Sequence, residues 1–213
     1  ADEYAAKYPN IVRAIHQENG GHGEAVNAGM RNATGLYFKV VDSDDWVDET
    51  MFQKMYEKAI SNNFDMVVSD LKYVYSNKRV NAYSNIDKDL FGKENLKPYM
   101  TKIYPAAWNK LYKKELFNTN IRFKLNVWFE DVEFIYRLYP YINSIGVVDK
   151  PLYNYLQREG AITSTFDKRL YHYVENWDGI VEFYKKNILM ANSAKIAAVC
   201  GTRPSAVFGR RFG

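Results

Sequence analysis

Three carboxylates fall within four residues at Asp42-Ser43-Asp44-Asp45, directly after the largely apolar run Leu36-Tyr37-Phe38-Lys39-Val40-Val41. Like charges this close resist ionising together unless a cation or strong hydrogen-bond donors sit among them. Carboxylate oxygens are hard ligands suited to Mg²⁺ or Mn²⁺. Mg²⁺ takes one or two protein carboxylates and completes its shell with water and substrate phosphates, so a short Asp-x-Asp matches a metal–diphosphate complex. A calcium-binding EF-hand loop starting at Asp42 fits badly. It needs Asp or Asn fifth, Gly sixth and Glu twelfth, where this chain has Trp46, Val47 and Gln53. Taken alone, the cluster is equally compatible with a solvated turn that caps a helix.

A second acidic pair, Glu130-Asp131, opens a segment whose Val132, Ile135, Tyr136 and Tyr139 have helical spacing. Acidic residues at a helix start stabilise its dipole, and they can equally serve as a general base. His22 lies in the glycine turn Asn19-Gly20-Gly21-His22-Gly23, where both a phosphate contact and an ordinary exposed imidazole are open readings. Lys39 interrupts an apolar strand and must find a polar partner or an exit. His16 and His172 have no metal-type partners at useful spacing.

The elements that must position these groups alternate. Asp2 to Tyr8 reads as the tail of a helix, which precedes a short strand, Ile11 to Ile15, and a helix, Glu24 to Ala33. The strand Leu36 to Val41 follows, ending at Asp42. Asp48 can cap a helix carrying Met51, Phe52, Met55, Tyr56, Ala59 and Ile60, and Phe64 to Val68 is the next strand. This alternation predicts an α/β layer with a mostly parallel sheet, which places ligands at the carboxyl ends of strands. Leu71 to Tyr75 and Val80 to Tyr83 predict a hairpin around Ser76-Asn77. Ala106 to Phe117 predicts short helical pieces, and Glu130 to Tyr139 a helix. Ser144 to Val148 and Leu152 to Leu156 predict strands. A long helix from about Lys168 to Lys186 carries the stripe Leu170, Tyr173, Val174, Trp177, Ile180, Val181 and Tyr184. The tail after Ala191 has no assigned role.

Bulk composition narrows the class. A 47% hydrophobic and 25% charged chain of 213 residues is globular. A net charge of +4 without a basic run argues against nucleic acid as a partner. Cys200 is the single cysteine, which excludes an internal disulfide and fits a reducing compartment. No apolar stretch approaches the roughly 20 residues needed to span a bilayer.

Five segments in order resemble family-2 glycosyltransferases of the GT-A fold. They are Asn19 to Gly29, Ala33-Thr34-Gly35-Leu36-Tyr37 running into Val41 to Trp46, Trp108-Asn109-Lys110-Leu111-Tyr112, Phe129-Glu130-Asp131-Val132-Glu133-Phe134, and Tyr153 to Thr163. A haloacid-dehalogenase phosphatase also places Asp-x-Asp after an apolar strand. Its Thr or Ser two residues past the second Asp is here Trp46, and no later Gly-Asp-x-x-x-Asp occurs.

The resemblance implies a Rossmann-like, nucleotide-diphospho-sugar transferase sheet flanked by helices over residues 1–165. It also implies a C-terminal helical extension over 166–213. It implies an inverting transfer from a nucleotide-diphosphate sugar, UDP-linked by preference, to a saccharide or lipid-linked saccharide, as in surface polysaccharide synthesis. Asp44 would ligate Mn²⁺ or Mg²⁺, with Asp42 at the metal or ribose and Asp45 toward the sugar. Arg158 would reach the diphosphate, and Trp108 is a candidate to stack on an acceptor. Asp131 would be the general base, with Glu130 as its alternate. A cytoplasmic setting at the inner membrane face is compatible with a lipid-linked acceptor.

The sequence departs from the family in two places. Ala25-Val26-Asn27 stands where many members have Ala-Arg-Asn, so a nucleotide-holding Arg is missing, with Arg31 a turn further on as a substitute. The family's first strand and Asp-Asp-Gly-Ser turn are also absent, which predicts an N-terminally truncated fold. A non-catalytic carbohydrate-binding or scaffold domain of the same fold is the alternative.

Overall fold

In a computed structural model, residues 1–75, 77, 80–83, 86, 94–158, 165 and 167–188 are described. The segment around Gly160-Ala161-Ile162-Thr163 and the tail after Ala191 lie outside the described residues. The elements run α1 (Asp2–Lys7), α2 (Gly21–Asn32), β1 (Tyr37–Lys39), β2 (Trp46–Val47), α3 (Met51–Ser61), β3 (Met66–Tyr75), β4 (Val80–Tyr83), β5 (Lys110–Lys113), α4 (Glu130–Leu138), β6 (Ile145–Gln157) and α5 (Tyr171–Ile188). Short 3-10 turns at Lys97–Lys102, Lys114–Asn118, Tyr139–Tyr141 and Lys168–Leu170 connect them.

The strands form one six-stranded sheet in the order β1-β5-β3-β6-β2, with β4 also on β3. β3 organises it. Its first half pairs antiparallel with β5, from Met66 opposite Tyr112 to Val68 opposite Lys110. Its second half pairs antiparallel with β4. Along the other edge it runs parallel to β6, from Met66 opposite Ile145 to Tyr75 opposite Gln157, with irregular register beside Asp70. Residues Met66 to Leu71 are all buried, as expected of a central strand covered on both faces.

The α/β class and the flanking helices agree with the expectation, and the sheet is mixed. Among the described pairings only β3 with β6 is parallel; β1–β5, β2–β6, β3–β4 and β3–β5 are antiparallel. Helix–strand alternation in the sequence does not reveal that Lys110–Lys113 enters the sheet in the opposite sense. That segment, expected to be helical, is strand β5 followed by a 3-10 turn. Ile11 to Ile15 is not a strand: it runs outside the sheet and contains no buried residue. With Ile11 at 85% exposure, its apolar side chains have no face to join.

The predicted hairpin forms, with Val74 opposite Val80. Ser144 to Val148 and Leu152 to Leu156 are two halves of one strand, β6. The helices also form, and each buries part of its predicted stripe; on α3, Phe52, Tyr56 and Ile60 are exposed. α3 buries Met51, Met55 and Ala59, and Asp48 receives the Thr50 backbone N–H at 3.0 Å, closing the turn that leads into it. α4 buries Val132, Ile135 and Tyr136, while α5 buries Tyr173, Ile180 and Tyr184 and leaves Val174 exposed. The Tyr184 hydroxyl donates to the Tyr136 carbonyl at 2.8 Å, joining α5 to α4.

Candidate functional site

The acidic turn is built between a strand end and β6. β1 stops at Lys39, and the chain turns at Asp42–Asp45, where the Asp45 N–H donates to the Asp42 carbonyl at 3.2 Å. β2 then pairs with β6, setting Val47 opposite Tyr153. This register brings the Tyr153 hydroxyl into the turn. It accepts from the Asp42 N–H at 3.1 Å and donates to Asp45 Oδ2 at 2.8 Å. Asp45 Oδ1 accepts from the Leu156 N–H at 2.8 Å. Asp45 therefore fastens the turn to β6. Its burial pushes its pKa up to about 6, against the lowering effect of those two donors.

Asp42 and Asp44 point to different partners. Asp44 Oδ2 receives Arg158 Nε at 2.9 Å and Nη2 at 2.8 Å, with both side chains substantially exposed. Arg158 immediately follows β6, so the strand that holds Asp45 also delivers the cation beside Asp44. Asp42 Oδ1 contacts His22 Nε2 at 3.1 Å, and His22 Nδ1 meets Glu130 Oε1 at 2.5 Å. The hydrogen bonds to Asp42 and Glu130 hold the imidazole protonated, its pKa raised to about 10 despite partial burial. Each ring nitrogen then donates to a carboxylate. His22 thus joins the Asp42 turn to the start of α4. Its partner Glu130 lies 108 positions along the chain, so no local pattern announces the contact.

Asp131 is half-buried beside this link. Desolvation first and the adjacent Glu130 charge second raise its pKa to about 7, opposed by His22. Its Oδ1 accepts from the Val132 N–H at 2.9 Å. A carboxylate whose proton affinity lies near neutrality is suited to accept a proton from a substrate.

Two lysines sit behind the turn. Lys39 donates to the Trp108 and Val40 carbonyls and lies 5.2 Å from the centre of the Tyr153 ring, which answers the question its position in an apolar strand raises. Lys110 is fully buried and donates to the Tyr104 carbonyl at 2.5 Å, the Ala106 carbonyl at 2.6 Å and Asn109 Oδ1 at 2.8 Å. Desolvation lowers both ammonium groups to a pKa of about 7. Trp108 is buried and stacks on Tyr153 at 4.5 Å, so it supports the turn from within. Arg31 pairs with Glu24 on its own helix at 2.6 Å.

Among the described residues, no three His, Cys, Asp or Glu side chains form a preformed metal cluster. The donor set at Asp44 is one accessible hard carboxylate with a guanidinium alongside. It fits a divalent cation whose remaining ligands are diphosphate oxygens and water, the usual Mg²⁺ arrangement.

Residues 1–120 match the family described as Glycosyl transferase family 2. GlyG, a glycosyltransferase of Streptococcus pneumoniae serotype 4, is 32% identical over 194 residues, covering 84% of this chain and 62% of its own length. The cholesterol galactosyltransferase of Borreliella burgdorferi is 29% identical over 179 residues, covering 78% of this chain and 49% of its own. The chain therefore spans about half to three-fifths of these relatives. The crystal structure of S. aureus TarS 1-349 with UDP-GlcNAc superimposes with a TM-score of 0.72 at 22% identity, covering 98% of this chain and 59% of TarS 1-349. The fold is thus the GT-A glycosyltransferase fold.

Proposed function

The chain belongs to glycosyl transferase family 2, and from that premise we propose that it transfers a sugar from a nucleotide-diphosphate donor to an acceptor hydroxyl with inversion. One observation carries this reading. His22 bonds to both Asp42 and Glu130, so the donor-side acidic turn and the Glu130-Asp131 pair stand at one site. A single displacement needs those two functions on opposite sides of one anomeric carbon. The acceptor oxygen forms its bond to that carbon while the bond to the diphosphate oxygen breaks. The electron pair leaves with the diphosphate, and the hydroxyl proton passes to Asp131.

Asp131 is the general base in this reading, and Glu130 its charged neighbour through which His22 acts. Arg158 and Asp44 face the diphosphate, Arg158 by charge-assisted hydrogen bonds. Asp44, with Asp42 near it, would hold Mn²⁺ or Mg²⁺, which supplies Lewis-acid neutralisation of the leaving diphosphate when bound. Asp45 acts at one remove from the donor, by holding the turn. A UDP-linked donor is supported by the solved relative's UDP-GlcNAc complex. A saccharide acceptor in surface polysaccharide synthesis follows from the family reading, as does the division into a catalytic unit over 1–165 and a helical extension over 166–213. Among the described residues no helix is long and apolar enough to cross a membrane; peripheral contact with a lipid-linked acceptor at the inner face belongs to the same family reading.

Asp131→Asn tests the assignment. It keeps shape and removes basicity, so turnover of UDP-GlcNAc should fall by roughly 10²-fold or more, while UDP binding by calorimetry stays within about twofold. Undiminished turnover would refute Asp131 as the base.

A further inference from the structure

The backbone that leads into α4, and so delivers the Asp131 carboxylate, is strained. Phe129, just before Glu130, has φ 61°, a left-handed conformation that bulky residues rarely adopt. Such a backbone persists only when its surroundings over-determine it. The surroundings here come from α5. The Trp128 N–H donates to His172 Nδ1 at 3.1 Å. Asn176, one turn along the same helix, uses its Nδ2 to donate to the Trp128 carbonyl at 2.9 Å and the Phe129 carbonyl at 3.0 Å. Both backbone polar groups of Trp128 and the carbonyl of Phe129 are thus held by two side chains four residues apart.

Asn176 is fully buried, and its amide orientation is fixed from the other end. Lys124 Nζ lies 3.5 Å from Asn176 Oδ1 and 2.8 Å from the buried Glu133 of α4. The helices approach closely there: a Cβ added at Gly179 would stand 2.7 Å from Glu133 Oε1 and 3.0 Å from Lys124 Nζ. From the Phe129 carbonyl the contacts lead on to the carboxylate. That carbonyl also accepts the Val132 N–H at 3.1 Å, and the same N–H donates to Asp131 Oδ1 at 2.9 Å. Asn176 Nδ2, Phe129 O, Val132 N and Asp131 Oδ1 form one unbroken hydrogen-bonded path.

We propose that Asn176 is a positioning residue for the Asp131 carboxylate, acting through the backbone of Trp128 and Phe129. The proposal rests on Asp131 being the base, and it makes α5 a working part of the transferase rather than an appended helix. Buried networks of this kind hold a geometry firmly when every member is satisfied. A displacement of about 1 Å at a reacting group can cost roughly 10²-fold in rate.

The test measures UDP-GlcNAc turnover and UDP affinity in the full chain for Asn176→Asp, Asn176→Ser, Ile180→Ala and Asp131→Asn. Asn176→Asp replaces the donor by an acceptor. It should lower kcat by roughly 10- to 100-fold with donor KM and UDP affinity within about twofold. Asn176→Ser keeps one donor, is milder on the fold, and should lower kcat less. Ile180→Ala truncates another fully buried α5 residue and should lose turnover only in proportion to its folded fraction. If both Asn176 variants keep wild-type kcat per folded molecule, or lose it only as Ile180→Ala does, the positioning role is overturned while Asp131→Asn still reports on the base. If Asp131→Asn retains full turnover, the base reading fails, and the positioning proposal fails with it.

Discussion

Asp131 carries opposing demands on activity and stability, and pH separates them. Burial and the Glu130 charge hold its pKa at about 7, and burial holds that of Asp45 at about 6. Unfolded, both carboxyls titrate near 3.8. The folded chain therefore binds more protons than the unfolded chain between those values, and stability must fall as pH rises across that window. His22, raised to about 10, and Lys39 and Lys110, lowered to about 7, act mainly above it. The carboxyls with lowered pKa, such as Asp167 at about 2, act mainly below it. The urea midpoint should thus be higher at about pH 4.5 than at about pH 6.5. The reaction has the opposite sign, because a general base works ionised: kcat/KM should rise with pH to a plateau above about 7. A midpoint that climbs with pH through this window would contradict the burial of these acids, and a flat rate profile would contradict the base.

At the scale of elements, α2 must present His22 at one fixed depth. Two contacts set that depth. Asn27 donates from Nδ2 to the Phe123 carbonyl at 2.9 Å and accepts the Phe123 N–H at 3.0 Å, as a neighbouring strand would. Gly23 lies against the same segment, where a Cβ would run into the Lys124 carbonyl oxygen and stand 3.1 Å from Phe123 Cβ. Because a backbone carbonyl cannot step aside as a side-chain tip can, Gly23→Ala should destabilise the chain by about 1–3 kcal/mol. It should also weaken turnover by displacing His22. Gly35→Ala, whose Cβ would meet only the Tyr37 carbonyl at 3.5 Å, should stay within about 0.5 kcal/mol. Equal midpoints for the two variants in urea would remove the close approach as the reason for glycine at 23.

The same elements show what sequence can carry. α3, α4 and α5 were readable because burial follows helical period, and the Asp42 cluster was readable because it ends an apolar run. β5 was not: Lys110 is a buried lysine satisfied by three oxygens, and nothing in Trp-Asn-Lys-Leu alternates as a half-exposed strand should. His22, Asn27 and Asn176 were missed as supports because their partners lie far along the chain. The Gly-His-Gly turn hinted at His22 only as a position open to a ligand. Tyr153 was visible within its motif, but its link to Asp42 and Asp45 depends on the β2–β6 register, which residue types do not disclose.

For the whole molecule, cooperativity should radiate from β3. This strand joins β4 and β5 along one edge and β6 along the other, so opening it breaks every one of those pairings. Met66, Val67, Val68 and Leu71 are completely buried, and their partners come from distant parts of the chain, so no local opening exposes them. The N-terminal stretch is the opposite case. Residues 1–20 contain no buried side chain, and the bonds of α1 stay within this stretch, the longest being the exposed Asp2–His16 pair at 2.7 Å. A six-residue helix without tertiary burial is marginal in water. Native-state hydrogen exchange should therefore find the Met66 to Val68 amides opening only with global unfolding, on the order of 5–15 kcal/mol. Amides of Ala5, Ala6 and Lys7 should exchange with little protection. The Val132 amide, held by both Phe129 and Asp131, should follow the core if α5 braces that turn, and it should move toward the fast group in Asn176→Asp. Protection of α1 equal to that of β3 would mean that the first twenty residues pack in solution against a surface this fold does not offer them.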